Sequence, residues 1–196
     1  MFRKTLSFFT LMLLVASVGY AAPDRTGKVD VGFNVSGAIP NDSEVDSAAY
    51  LGGSLAYGVT NWFALGAEAG WAQFDESDSG VNIEQNAVPI FGDIILRMPN
   101  DSAVQPYGIV GLGVIVWNVD DNVPNVDFDV DTAFAAKFGA GLDWFINNNW
   151  IANFEFSYVT SDAEATARNT VTGASVSAEG ETDYWMIGGG LKFLFS

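Results

Sequence analysis

The feature that most constrains this chain is a strict alternation of apolar with small or polar residues on both sides of a three-asparagine turn. Every second residue from Phe134 to Trp144 is apolar, and the alternation resumes from Trp150 to Tyr158 after the turn at 147–149. Successive side chains of a β-strand point to opposite faces, so each segment has one wholly apolar face. We therefore predict an antiparallel hairpin whose strands each have roughly the 10 residues that a tilted strand needs to cross a bilayer.

The same alternation recurs elsewhere and predicts six further strands. They span residues 28–39, 49–59, 63–71, 88–98, 106–117 and 184–195. The segment 106–117 is apolar on both faces, so its register stays open. Three predicted turns are short, at residues 60–62, 99–103 and 147–149. Four predicted loops are longer and polar, at residues 40–47, 75–85, 118–131 and 160–183.

An even number of strands, with short turns at one end and long loops at the other, is typical of bacterial outer-membrane barrels. A closed barrel pairs all its backbone groups and has no free edge, as a bilayer requires. No apolar run after residue 21 approaches the roughly 20 residues of a spanning helix, which excludes a helical membrane protein. The predicted fold class is all-β, an eight-stranded antiparallel up-and-down transmembrane β-barrel.

The competing fold is a soluble eight-stranded ligand-binding barrel, whose apolar face points inward. Two features favour the membrane barrel. The second face carries mostly Gly, Ala and Ser with few charges, which is a poor surface for water. Aromatic residues lie near the predicted strand ends, where interfacial girdles form, at Trp62, Phe63, Trp71, Trp144, Trp150, Tyr158, Trp185 and Phe195.

Residues 1–21 have the pattern of a secretory signal peptide. Arg3 and Lys4 precede an apolar stretch at 6–18, and Gly19-Tyr20-Ala21 forms a small-x-small cleavage site. The apolar stretch is too short to span a membrane, which disfavours a helical anchor. We predict cleavage after Ala21 and a barrel domain over residues 22–196. The chain has no cysteine, which excludes disulfides and a lipidated cysteine.

Composition and charge exclude several functions. The leader holds two of the eight basic residues, so the remaining 6 basic and 24 acidic residues give a net charge of −18. This charge disfavours nucleic acid as a partner. The chain has no histidine and no cysteine, which removes the usual general base, the thiolate nucleophile and the soft metal ligands. We predict a protein that is not an enzyme and that carries no cofactor or metal.

Charged residues on the small-residue face form a predicted lumen network. Its members are Lys28, Asp30, Glu68, Asp93, Arg97, Lys137, Asp143, Glu155 and Lys192. An eight-stranded barrel is only wide enough for its own side chains, so these charges are expected to interlock as ion pairs. The pattern favours a structural plug over a polar conduction path.

The predicted loops are strongly acidic and contain one run that imitates a calcium loop. This run is Asp127 to Asp131, but Thr132 replaces the required glycine and Phe138 stands where a bidentate glutamate is needed. A solvated acidic rim is therefore favoured over a calcium site.

Four segments in order resemble the small outer-membrane barrels of the OmpW type and of the OmpA and OmpX type. They are residues 57–71, 105–114, 139–150 and 188–195, and the likeness covers essentially the whole mature chain. Phe195 would be the C-terminal aromatic residue that such barrels use as an assembly signal, although Ser196 follows it. The resemblance implies an outer-membrane location in a Gram-negative cell envelope, in contact with outer-membrane lipid and lipopolysaccharide. It implies either a narrow passage for small hydrophobic molecules or a closed structural or surface-interaction barrel.

Overall fold

A computed structural model describes residues 22–41, 47–78, 81–120, 126–130, 132–169 and 175–195, and these residues form ten strands. The strands are β1 (Val29–Pro40), β2 (Ala48–Gly58), β3 (Phe63–Asp78), β4 (Val81–Arg97), β5 (Val104–Asp120), β6 (Val126–Val130), β7 (Ala133–Phe145), β8 (Trp150–Asn169), β9 (Ser175–Glu181) and β10 (Tyr184–Phe195). Among the described residues no helix is long and apolar enough to cross a membrane.

Eight of the strands close into one antiparallel barrel. Their order around the barrel is β1, β2, β3, β4, β5, β7, β8 and β10, and β10 pairs again with β1. The closing seam runs from Val29 opposite Phe195 to Pro40 opposite Tyr184. The predicted eight-stranded antiparallel barrel is therefore confirmed, and no edge of its sheet is left unpaired across the bilayer.

Three segments were expected to be loops, at residues 75–85, 118–131 and 160–183, and this prediction is wrong for most of their described residues, which lie in strands. Strands β3 and β4 continue to Asp78 and from Val81, and β8 continues to Asn169. The short strands β6 and β9 pair with the two edges of this extension of β8. A strand that rises beyond the bilayer has water on both faces, so its sequence lacks the alternation that marks a half-buried strand.

The two faces of the barrel wall follow the predicted alternation. Phe33 and Phe138 point outward and are 57% and 51% exposed, whereas Tyr50 and Lys137 point inward and are buried. The open register of the predicted strand 106–117 is also settled. Its outward residues are Val110, Leu112, Val114 and Val116, and its buried ones are Tyr107, Ile109 and Ile115. The apolar face meets lipid, and the small and charged face fills the barrel.

Aromatic side chains cluster on the outer surface near the strand ends. At the end with short turns, the Trp150 and Phe193 rings lie edge to face with centroids 5.1 Å apart. At the opposite end, Trp185 stacks on Phe156 at 4.9 Å and lies 4.6 Å from the Tyr158 ring. These two belts are placed where a membrane barrel meets the lipid headgroups.

The interior half away from the short turns is filled by apolar side chains, which we call the apolar layer. Its buried members are Ala38, Ala48, Tyr50, Ala72, Ala87, Phe91, Ile115, Ala135, Val159, Tyr184 and Met186. The charged side chains lie below it, towards the short turns.

Candidate functional site

Three charged residues from three strands form a cluster in the middle of the barrel, which we call the central cluster. Lys137 of β7 donates through Nζ to Glu68 Oε2 of β3 at 2.7 Å and to Asp93 Oδ2 of β4 at 3.3 Å. The second oxygen of Glu68 accepts from the Tyr50 hydroxyl at 2.7 Å and from Asn34 Nδ2 at 3.2 Å. Lys137, Glu68 and Asp93 are all buried, so these contacts cross the lumen away from water.

Glycines on the inner face make room for these long side chains. Gly111 of β5 lies opposite both Asp93 and Lys137 in the sheet register. A Cβ at position 111 would lie 3.3 Å from the Lys137 side chain, and one at Gly70 would collide with the ring of Tyr50. The glycines of the second face therefore make room for long side chains, charged or aromatic, from neighbouring strands.

A second group, the basal cluster, lies nearer the short turns. Asp143 of β7 accepts from Arg25 Nη1 at 2.7 Å and from Lys192 Nζ at 3.0 Å. Arg97 of β4 donates through Nη2 to Asp30 of β1 at 2.9 Å. The side chains of Arg25, Asp143, Arg97 and Asp30 are at most 5% exposed. The two clusters together place charged pairs across most of the lower half of the lumen.

Arg25 belongs to an N-terminal strap, residues 22–28, that folds across the short-turn end of the barrel. Its guanidinium lies 4.8 Å from the centre of the Phe145 ring, and its backbone N–H donates to Asn61 Oδ1 at 3.2 Å. Gly27 has a φ of 72°, a conformation that glycine adopts without strain. The backbone N–H and the hydroxyl of Thr26 both donate to the Asp24 carboxylate. These two hydrogen bonds, the backbone one foremost, hold the pKa of Asp24 below its usual range. The strap therefore places a fully buried arginine at the barrel mouth.

The structure brings together most of the sequence-predicted lumen residues. Ion pairs join Asp30, Glu68, Asp93, Arg97, Lys137, Asp143 and Lys192. Lys28 precedes β1 and takes part in no ion pair among the described residues. Glu155 also makes no ion pair there, and instead accepts from the Tyr107 hydroxyl at 2.8 Å. Asn153 Nδ2 donates to the same hydroxyl at 2.7 Å.

Sequence reasoning missed Arg25, Tyr50 and Tyr107. Arg25 lies before the first alternating segment, so periodicity gives no sign of its direction. Tyr50 and Tyr107 lie on the small-residue face, which points into the barrel. A buried tyrosine hydroxyl usually has a hydrogen-bond partner, so their position in the sequence could have indicated a polar contact inside the barrel.

A small cavity lies between the two clusters. Its volume is about 20 Å³, and its polar lining comes from Asp30, Asn34, Glu68, Asp93, Glu155 and Lys192, among others. This volume has room for about one water molecule. Ion pairs and packed side chains thus leave no wide channel in the described part of the interior.

Two sequence predictions lie outside the described residues or side chains. The signal peptide at residues 1–21 is not described, and its cleavage stays a prediction. The acidic run 127–131 is described only as the backbone of β6 up to Val130, an extended strand. Among the described residues no group of three or more carboxylates is placed to hold a metal ion.

Comparisons with known proteins agree with this geometry. Residues 8–193 match the family described as outer membrane protein beta-barrel domain. The chain is 25% identical over 181 residues to outer membrane protein AlkL of Ectopseudomonas oleovorans, covering 88% of this chain and 76% of AlkL. Its fold is similar to the crystal structure of OprG from Pseudomonas aeruginosa, with a TM-score of 0.71 at 17% identity over 87% of this chain and 97% of OprG. The NMR structure of E. coli outer membrane protein W gives a TM-score of 0.60 at 16% identity over 87% and 99% of the two chains.

The family match spans nearly the whole chain, and the similar proteins are outer-membrane barrels. The resemblance and the location predicted from the sequence are confirmed. The chain belongs to the outer membrane protein beta-barrel domain family and is an outer-membrane protein.

Proposed function

We propose that this barrel passes small hydrophobic molecules from the outside into its apolar layer and then sideways through the wall into the membrane. The observation that carries the proposal is an interruption in the β3–β4 ladder beside the apolar layer. Outer-membrane barrels place their short turns in the periplasm, so the apolar layer lies in the half that faces outward from the cell.

The interruption is two residues long and has a chemical cause. Strands β3 and β4 pair in one register on both sides of Gly70 and Trp71, which are themselves unpaired with β4. Continuing that register would place Pro89 opposite Gly70 and Val88 opposite Trp71. Proline has no N–H to donate to a ladder, and glycine contributes no side chain that would seal the gap. A weak point of the wall is therefore built into the sequence.

This weak point joins the lipid to the apolar layer. Trp71 and Val88 face outward, whereas Pro89 is buried inside. Ala72 and Ala87, which resume the ladder, belong to the apolar layer, and the ring of Tyr50 lies over Gly70. A hydrophobic molecule that enters the layer from outside would thus meet the interruption without leaving apolar surroundings.

The charged clusters favour this sideways route over passage straight through the barrel. An apolar molecule moving down the axis would have to separate Lys137 from Glu68 and Asp93, and then Arg97 from Asp30. Breaking buried pairs costs several kcal/mol for each ion left without a partner. Leaving through the wall keeps the molecule next to hydrocarbon throughout.

A closed structural or surface-interaction barrel is the second candidate, and the packed, ion-paired interior favours it. The two functions differ in whether an apolar solute crosses the wall. Since apolar probes cross phospholipid by themselves, the test needs vesicles whose outer leaflet contains lipopolysaccharide.

The experiment compares uptake of a small apolar fluorophore by such vesicles with and without the protein. We expect the wild-type protein to accelerate uptake and Pro89→Ala, which restores the missing N–H, to slow it. The matched control is Pro106→Ala, since Pro106 lies in an uninterrupted part of the β5–β7 ladder. If the wild type does not accelerate uptake, the closed structural barrel is the better account of the function. Equal effects of the two variants would refute the route through β3 and β4.

A further inference from the structure

The ring of Tyr50 covers the inner side of the ladder interruption. Tyr50 lies on β2 and is 1% exposed. Two residues further along β2, Gly52 pairs with Gly70 of β3, which is itself unpaired with β4. A Cβ at Gly70 would collide with the ring and the hydroxyl of Tyr50, and one at Gly52 would lie 2.6 Å from the same ring. The ring therefore lies across both glycines, directly behind the weak point of the wall.

A hydrogen bond to the central cluster holds this ring in place. The Tyr50 hydroxyl donates to Glu68 Oε1 at 2.7 Å. Glu68 lies two residues before Gly70 on β3, so the two residues share the inner face. The other oxygen of Glu68 accepts from Lys137 Nζ at 2.7 Å, which fixes the carboxylate. Hydrogen bonds to an ionised acceptor are stronger than those between neutral groups. The central cluster therefore fixes the position of the Tyr50 ring.

Tyr50 lies at the boundary between the apolar layer and the central cluster. Its ring packs with the apolar layer, whereas its hydroxyl contacts Glu68. The residues on either side of Tyr50 in the sheet are Ser36 of β1 and Ala72 of β3. Both are small, so neither blocks rotation of the ring. A molecule that leaves the apolar layer through the interruption has to displace this ring, because the ring occupies the space over Gly70.

We propose that Tyr50 is the gate of the sideways route. Its ring closes the inner side of the interruption, and its hydrogen bond to Glu68 sets how often the ring moves away. Such a gate has a role only if the proposed function holds, since it acts on a solute that crosses the wall. Rotation about the Cα–Cβ bond of Tyr50 breaks one hydrogen bond and uncovers Gly70 without separating an ion pair. The route therefore opens while the central cluster stays intact.

The test measures uptake of the small apolar fluorophore N-phenylnaphthylamine by the vesicles with lipopolysaccharide described above. Tyr50→Phe keeps the ring but removes the hydrogen bond to a charged acceptor, so uptake should be roughly tenfold faster than with the wild type. The matched control is Tyr57→Phe, because Tyr57 lies on the same strand, faces outward and is 49% exposed. This control should take up the fluorophore at the wild-type rate.

The outcomes separate the gate from the route. A wild type that accelerates uptake, with Tyr50→Phe no faster, would overturn the gate and leave the route through β3 and β4 in place. A wild type that does not accelerate uptake would remove the route and the gate together.

A second variant displaces the ring without removing its hydroxyl and guards against misfolding of Tyr50→Phe. The new Cβ of Gly52→Ala would meet the flexible ends of the Tyr50 and Asn34 side chains, on a strand that takes no part in the interruption. We therefore expect this variant also to accelerate uptake. The control Gly53→Ala faces outward, where the nearest atom is 3.8 Å away, and it should not accelerate uptake. A folded, unboiled band on a gel shows that each variant forms the barrel.

Amide hydrogen exchange in lipid tests the gate without a solute. The amides at residues 70–71 should exchange faster in Tyr50→Phe and in Gly52→Ala than in the wild type, because the ring that shields them is released. The two control variants should exchange at the wild-type rate. Unchanged exchange at 70–71 in both ring variants would overturn the proposal whatever their uptake rates.

Discussion

Lys137 is the residue on which the central cluster depends, because one fully buried ammonium serves both Glu68 and Asp93. We predict that Lys137→Met lowers the free energy of unfolding by about 3–5 kcal/mol, since two buried carboxylates lose their cation. Urea titrations in lipid vesicles, followed by tryptophan fluorescence, measure this loss. The triple variant with Glu68→Gln and Asp93→Asn should recover most of it. A single variant as stable as the wild type would show that the cluster is not ionised.

Phe138 is the neighbour of Lys137 in sequence and points the opposite way, into lipid. Phe138→Arg should cost about 2–4 kcal/mol if this position lies near the bilayer midplane, because the guanidinium must leave water. Phe138→Leu, which stays apolar, is the control and should cost much less. The same refolding titrations apply, and a tolerated arginine would mean that position 138 does not face hydrocarbon.

For a single residue, the sequence predicts the face of the barrel wall to which its side chain points, but not the residue that it contacts. Alternation places Lys137 inside and Phe138 outside, because a strand has only two faces. Which carboxylate Lys137 meets depends on how far each strand is shifted along its neighbours, and alternation does not contain that shift. Arg25 illustrates the limit, since it reaches Asp143 from a segment with no periodicity at all.

Among the elements, the β3–β4 hairpin shows most clearly what periodicity can and cannot predict. Residues 63–71 were predicted as a strand because one face meets lipid, and β3 does begin at Phe63. Its continuation to Asp78 was predicted as a loop, since polar residues outside the bilayer give no alternating signal. The interruption at Gly70 and Trp71 depends on Pro89 of the next strand, so it becomes visible only when the register is known.

We predict that the ladder interruption is detectable by amide hydrogen exchange in lipid. The backbone amides at residues 70–71 should exchange faster than those at 64–67 of the same strand, where pairing with β4 is continuous. Pro89→Ala should slow exchange at 70–71, because an N–H at position 89 can donate to β3 and hold the two strands together there. Equal protection of the two segments in the wild type would argue against a weak point in the wall.

For the whole molecule, closure of the sheet and filling of the lumen make separate predictions. A closed barrel resists detergent at room temperature, so the unboiled protein should migrate differently from the boiled protein on a gel.

In a planar bilayer the protein should show little or no steady ion conductance, because the charged clusters leave no continuous water column. A general porin reconstituted in the same way is the positive control. A large and stable current would contradict the packed interior.

The closing seam also bears on how such a barrel is made. Val29 pairs with Phe195, so the two ends of the sheet are neighbours at the short-turn end. A short linker could join them, and a cut at residues 60–62 would then leave every ladder in place while making β2 the last strand synthesised. The finished sheet is a ring, in which no strand is first or last. A circular permutant of this kind would keep the strand pairing of the folded barrel and change only the strand at the C-terminus. It would therefore test whether the cell's assembly machinery recognises β10 itself.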